Sequence, residues 1–317
     1  MLRVLEGHAD GVCAVSSCAV DGRVLVLSGS YDHTVKMWDA TDGTELRVLE
    51  GHSDAVLAVS SCAVDGLVLV LSGSVDRTIK MWDAADGTEL RVLEGHTDIV
   101  YAVTSCNVEG RVLVLSGSAD KTVRMWDAAD GKQLRVLEGH TDDVFNVTSC
   151  IVDGRVVVLS ASEDRTVRMW DAADGTELRV LEGHTDAVYA VASCNVEGRV
   201  LVLSGSVDRT IKMWDAADGT ELRVLEGHTD DVCAVTSCNV DGRVVVLSAS
   251  DDRTVRMWDA ADGTELRVLW GHLRDVNAVA SCNVEGRVLV LSGSWDHTVR
   301  LWDAGRAVNV AAAAAAE

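Results

Sequence analysis

The chain contains no proline, and its 317 residues include only one phenylalanine and three tyrosines. Without proline, collagen-like and proline-rich linker architectures are excluded. Long apolar runs are missing too. None approaches the roughly 20 residues of a membrane span, and residues 1–6 hold no signal-peptide core. Bases are scarce: 28 Lys and Arg stand against 50 Asp and Glu, a net charge of −22. Lys and Arg are what meet a nucleic-acid backbone. The balance therefore argues against DNA or RNA and toward a basic protein partner. What is abundant is apolar character, 48% of residues, enough for a large core and too much for a disordered chain.

That apolar character is periodic. Gly-His recurs at His8, His52, His96, His140, His184, His228 and His272, always 44 residues apart and without insertion. Repetition at such a period marks stacked or radially arranged units, so one repeat is read first. In residues 139–182, Val144 to Thr148 alternates as a strand, and Asp153-Gly154 is a turn signal. Val156-Val157-Val158-Leu159 is a β-branched run suited to a strand buried on both faces. Thr166 to Trp170 alternates again, Asp174-Gly175 turns, and Leu178 to Leu181 forms a fourth strand. Short strands separated by regular turns make an antiparallel sheet. Four strands per repeat around an axis describe an all-β, seven-bladed propeller.

The pairing of Gly-His near one end of each repeat with Trp-Asp near the other (Trp38-Asp39 through Trp302-Asp303) resembles the WD-repeat (WD40) β-propeller family. The resemblance covers residues 2–304, so residues 1–304 are expected to form one propeller, with residues 305–317 as an alanine-rich tail, a short helix or a frayed end. One departure stands out. The family's Phe-Ser-Pro-Asp-Gly after the first strand is replaced by longer, proline-free forms such as Thr148 to Gly154, so the first loop and second strand are expected to deviate. Residues 2–5, Leu-Arg-Val-Leu, read as a fourth strand, and the last repeat has none of its own. The first strand is therefore expected to complete the last blade and remove open sheet edges.

Each repeat also carries His, Ser, Asp and Trp at fixed offsets: His8, Ser28, Asp32, Trp38, and likewise His140, Ser160, Asp164, Trp170. Read alone, this set invites comparison with a hydrolase triad. Seven identical copies favour structure, since an enzyme needs one site. The resemblance implies a buried chain of hydrogen bonds from Trp through Ser and His to Asp. The Trp-Asp-Ala-Ala-Asp-Gly run fails as a calcium loop, because aligning Gly87 at the sixth position puts Trp82 at the first. Phosphate loops, CxxC and HExxH are missing, so neither catalysis, metal nor cofactor is expected. Seven of nine cysteines occupy one repeat position (Cys18 to Cys282) and read as small buried apolar side chains. Free thiols suit a reducing compartment such as the cytoplasm.

The repeats differ mainly in three columns. Three residues after the histidine stand Gly11, Ala55, Ile99, Asp143, Ala187, Asp231 and Asp275. Two further on are Cys13, Leu57, Tyr101, Phe145, Tyr189, Cys233 and Asn277. Before the network Asp are Tyr31, Val75, Ala119, Glu163, Val207, Asp251 and Trp295. All three Tyr, the only Phe and one of the two non-repeat Trp fall here; Trp270 is the outlier. The resemblance places these columns on the top face around the channel mouth. Rings beside carboxylates suit a Lys or Arg side chain. The expected function is a non-enzymatic scaffold, a member of a multiprotein complex, binding a protein or peptide with a basic residue through Tyr31, Tyr101, Asp143, Phe145, Glu163, Tyr189, Asp231, Asp251, Asp275 and Trp295. Two other readings stand beside it. One is a structural subunit contacting partners by its blade edges, where Arg47 to Arg267 lie. The other is a consensus-like engineered propeller without a natural ligand. Against the latter, repeats 4 and 6 share Val-Val-Val-Leu-Ser-Ala-Ser while 3, 5 and 7 share another form, as tandem duplication would leave them.

Overall fold

The structure is a computed structural model that describes residues 1–305; the expected tail beyond Gly305 lies outside the described residues. Seven separate four-stranded antiparallel sheets follow one another along the chain. Blade 4 is representative. Its strands are Val144–Val152 innermost, then Arg155–Ser162, Thr166–Asp171 and Glu177–Glu182 outermost. Val158 and Leu159 are fully buried, as their unbroken apolar run requires.

The departure from the family pattern has a clear geometric result. The inner strand does not stop at Thr148 but continues through Cys150 to Val152, paired with Arg155 at the tip. Asp153 (φ 50°) and Gly154 (φ 78°) close the hairpin. Two successive positive φ values are those of a type I′ turn, whose twist matches the strands it joins. The proline-free segment thus lengthens the inner hairpin of each blade.

The apolar clusters lie between blades. One joins Leu25, Leu27, Met37 and Leu49 of blade 1 to Val56, Val70, Trp82 and Ala84 of blade 2. Each later seam repeats the arrangement. Polar ties cross the same seams. Near the channel, Ser105 Oγ donates to Ser61 O at 3.2 Å, and Ser237 Oγ to Ser193 O at 3.1 Å. At the rim, Arg91 Nη2 donates to Ala129 O and Arg179 Nη2 to Ala217 O, both at 2.6 Å. The outer-strand arginines therefore bind the next blade's loop. All nine cysteines are free thiols. Cys18 and its equivalents are buried except Cys150 and Cys238, which face Val157 and Val245 where other blades offer the larger Leu.

The ring closes through its first strand. Arg3–Glu6 is hydrogen-bonded to Thr298–Asp303 in the last sheet, with Leu5 opposite Val299. Leu5 is 3% exposed and packs in the cluster that joins blade 7 to Trp38 of blade 1. Leu5→Ala is expected to cost about 2–5 kcal/mol, the range for truncating a buried leucine. Deleting residues 1–5 should lower the melting temperature further, by exposing the edge of Thr298–Asp303; calorimetry showing an unchanged melt would contradict this closure.

Candidate functional site

The repeated quartet forms one hydrogen-bonded chain in every blade. In blade 4, Trp170 Nε1 donates to Ser160 Oγ at 2.9 Å, and Ser160 Oγ lies 2.7 Å from His140 Nε2. His140 Nδ1 lies 2.8 Å from Asp164 Oδ2. Blade 1 repeats this with His8, Ser28, Asp32 and Trp38, at 2.7 to 2.8 Å. A neutral histidine with its proton on Nδ1 satisfies every group: indole to hydroxyl, hydroxyl to imidazole, imidazole to carboxylate. Asp164 also accepts Thr166 Oγ1 at 2.6 Å and the Thr141 N–H at 3.1 Å. The Ser160 hydroxyl is fully buried and already accepts from the indole, so it is not presented to a substrate. The glycine of Gly-His is part of the same fit: a Cβ on Gly139 would lie 2.9 Å from the Trp170 ring.

Burial alone would push the Asp164 carboxyl up. Hydrogen bonds from His140 and Thr166 outweigh it and hold the group well below the usual carboxylate range, and the other six blades do the same. A carboxyl whose folded pKa is depressed adds stability above its unfolded pKa and loses it as pH falls. Stability measured in urea should therefore decline steadily from about pH 5 to about pH 2. Ser160→Ala strands the buried Trp170 N–H and His140 Nε2, and should cost about 1–3 kcal/mol by the same assay.

The Trp-Asp loops are likewise self-contained. Asp171 accepts the Ala173 N–H at 2.8 Å and Asp174 the Thr176 N–H at 2.9 Å, so these carboxylates hold turns.

The three variable columns come together at one end of the channel. In every inner strand the register slips at the middle column. Val100 pairs with Ser118 and Ala102 with Gly117, leaving Tyr101 as the extra residue; Phe145 and Tyr189 occupy the same bulge. A bulge re-aims the side chain it carries, here toward the channel mouth. The outer two columns are tied by backbone, as in Glu163 N to Asp143 O at 2.9 Å and Trp295 N to Asp275 O at 3.0 Å.

Tyr31, Tyr101, Phe145, Tyr189, Asp251 and Trp295 line one open cavity of about 310 Å³, together with Cys13, Leu57, Cys233 and Asn277. Phe145 packs edge-on against Tyr101 and Tyr189, with centroids 5.0 and 4.9 Å apart. Tyr31 and Trp295 meet across the closing seam at 4.6 Å. Asp143, Glu163, Asp231 and Asp275 are not part of that lining. Asp143 and Glu163 instead cluster with Asp142, their carboxylate oxygens within 4.8 Å of one another. Lys121 Nζ stands 3.4 Å from Asp142.

Four acids of this face, Asp143, Glu163, Asp231 and Asp251, are held toward protonation. Burial, then the neighbouring Asp142, raises Asp143, and Glu163 is raised by the same two causes. Burial, then Asp230, raises Asp231. Burial raises Asp251 against a hydrogen bond from Cys233, and Asp275 and Asp231 push it the same way. Burial, then Asp143, pushes the Tyr101 hydroxyl up to about 12. Cys233, which the aromatic columns left in the background, donates its thiol to Asp251 Oδ1 at 2.9 Å. Its sequence signals were its place in the middle variable column and its being one of two cysteines outside the repeat position.

A closed ring of seven antiparallel blades, each built on an identical indole–hydroxyl–imidazole–carboxylate chain, defines a repeat β-propeller. Models of the WD domain, G-beta repeat family (WD40) match residues 1–39, 43–83, 87–127, 131–171, 175–215, 219–259 and 263–303. The chain belongs to the WD40 family, whose propellers generally act as protein-interaction scaffolds and are typically not enzymes. Comparison with curated proteins returns no match. Among the described residues no helix is long and apolar enough to cross a membrane.

Proposed function

We propose that this propeller is a non-enzymatic scaffold whose channel mouth takes a protein or peptide segment carrying a basic residue. The observation that carries this reading is the cavity lined by Tyr31, Tyr101, Phe145, Tyr189, Asp251 and Trp295. A guanidinium or ammonium entering it meets aromatic faces and a carboxylate at once. The acids around it repel one another, and a cation relieves that repulsion. The five variable aromatics thus serve as anchors, and Asp143, Glu163, Asp231 and Asp275 steer from the rim.

Attachment by blade edges has less in its favour. The outer arginines that would serve it already hold adjacent blades together, as Arg91 and Arg179 do.

A fluorescein-labelled peptide with a central arginine is expected to bind with an affinity that weakens as salt is added. Replacing Tyr101, Phe145 and Tyr189 together with Ala should reduce that affinity about tenfold or more, as loss of anchor residues does. Equal affinity for the triple variant, or for a peptide with the arginine changed to alanine, would remove this site.

A further inference from the structure

A second surface on the same molecule has the opposite character. At two seams of the variable face a base on one blade meets an acid on the next: Lys121 lies 3.4 Å from Asp142, and His33 lies 4.0 Å from Asp54. The acid position reads Asp10, Asp54, Asp98, Asp142, Asp186 and Asp230 in six blades, but Arg274 in the seventh. Between blades 6 and 7, therefore, Arg253 and a second arginine, Arg274, line one cleft. Both are exposed, and neither side chain forms an ion pair or hydrogen bond among the described residues.

Two neighbouring positions change in the same segment. Leu273 stands where other blades carry Ala, Ser or Thr, and Trp270 where they carry Glu. At 74% and 69% these are the most exposed large apolar side chains among the described residues. Trp270 pairs with Thr254, the first residue of the adjoining strand, and Arg253 sits in the turn just before it. Arg253, Leu273, Arg274, Asp275 and Trp295 line an open cleft. Its one acid, Asp275, acts on Asp251 toward the channel. Two unpaired guanidinium groups repel each other and attract an anion, and exposed apolar side chains beside them mark an interaction surface.

We propose that the seam between blades 6 and 7 docks an acidic linear segment of a partner protein. A carboxylate enters between Arg253 and Arg274, and an apolar side chain lies against Leu273 and Trp270. The charge required is opposite to that of the channel-mouth ligand, so the two proposals stand or fall separately.

The test is fluorescence anisotropy with a labelled peptide of alternating Glu and Leu, and with its Lys-for-Glu counterpart. Arg274→Asp and Trp270→Glu restore residues that six other blades already carry, so both variants should fold. The acidic peptide is expected to bind the unaltered protein and to weaken with salt. Each of these variants should lower its affinity about tenfold or more. The Tyr101, Phe145 and Tyr189 triple variant should leave it unchanged. Absence of binding, equal binding of the lysine peptide, or full affinity in Arg274→Asp would overturn the proposal. Sedimentation showing a dimer that Trp270→Glu dissolves would assign the surface to a second copy and overturn it as well.

Discussion

A blade of this protein has no core of its own. Its apolar side chains are buried only when the next blade lies against them, and every cluster joins residues of two neighbours. Stability is consequently a property of seams. An open row of blades would leave one apolar face wet at each end, and closing the ring buries both. Arg3–Glu6 serves this by carrying Leu5 into the last seam and pairing with the strand that would otherwise be an edge. The serines near the channel and the arginines at the rim reinforce the same contacts from inside and outside.

The indole chain solves a second problem raised by that geometry. Each seam takes in a tryptophan, and Trp170 is only 2% exposed. Its N–H cannot be left unpaired in an apolar cluster without a penalty of about 1–3 kcal/mol. Ser160 accepts it, His140 accepts from Ser160, and Asp164 accepts from His140 at the surface. Polarity is passed outward from the core to a carboxylate that is still partly hydrated. Replacing the serine or the histidine would strand two groups at once, since each sits between two partners. This is why the Ser–His–Asp set here is accounted for by structure.

The architecture was legible in the sequence because it is periodic. Blade number, strand order, the borrowed first strand and the quartet all follow from residues that recur every 44 positions. Two features were not legible. The inner hairpin runs to Val152 because Asp153-Gly154 forms a two-residue turn, whereas the family pattern suggested only a deviation of unspecified form. The bulge at Tyr101, Phe145 and Tyr189 leaves no mark in the composition of the strand, since it depends on how two strands pair. Sequence variation showed that this column differs between blades, and only the register shows why its side chains point at the channel. Leu273 and Arg274 drew no notice in the sequence, because their meaning needed the neighbour across the seam, Arg253, which lies 20 or more residues away.

Identical scaffolding also explains where specificity can reside. Within a seam nearly every position is constrained by packing, so the residues free to change are those in the turns at strand ends and at the bulge of the inner strand, which has no ladder partner. On this face they sort by charge in space. Asp143, Glu163, Asp231 and Asp251 gather from blade 4 to blade 6 around the channel mouth, each held toward protonation by burial and its neighbours. Arg253 and Arg274 stand at the following seam with Leu273 and Trp270 beside them. Trp295 borders both regions and Asp275 of the second acts on Asp251 of the first, so the change of sign falls within a single seam.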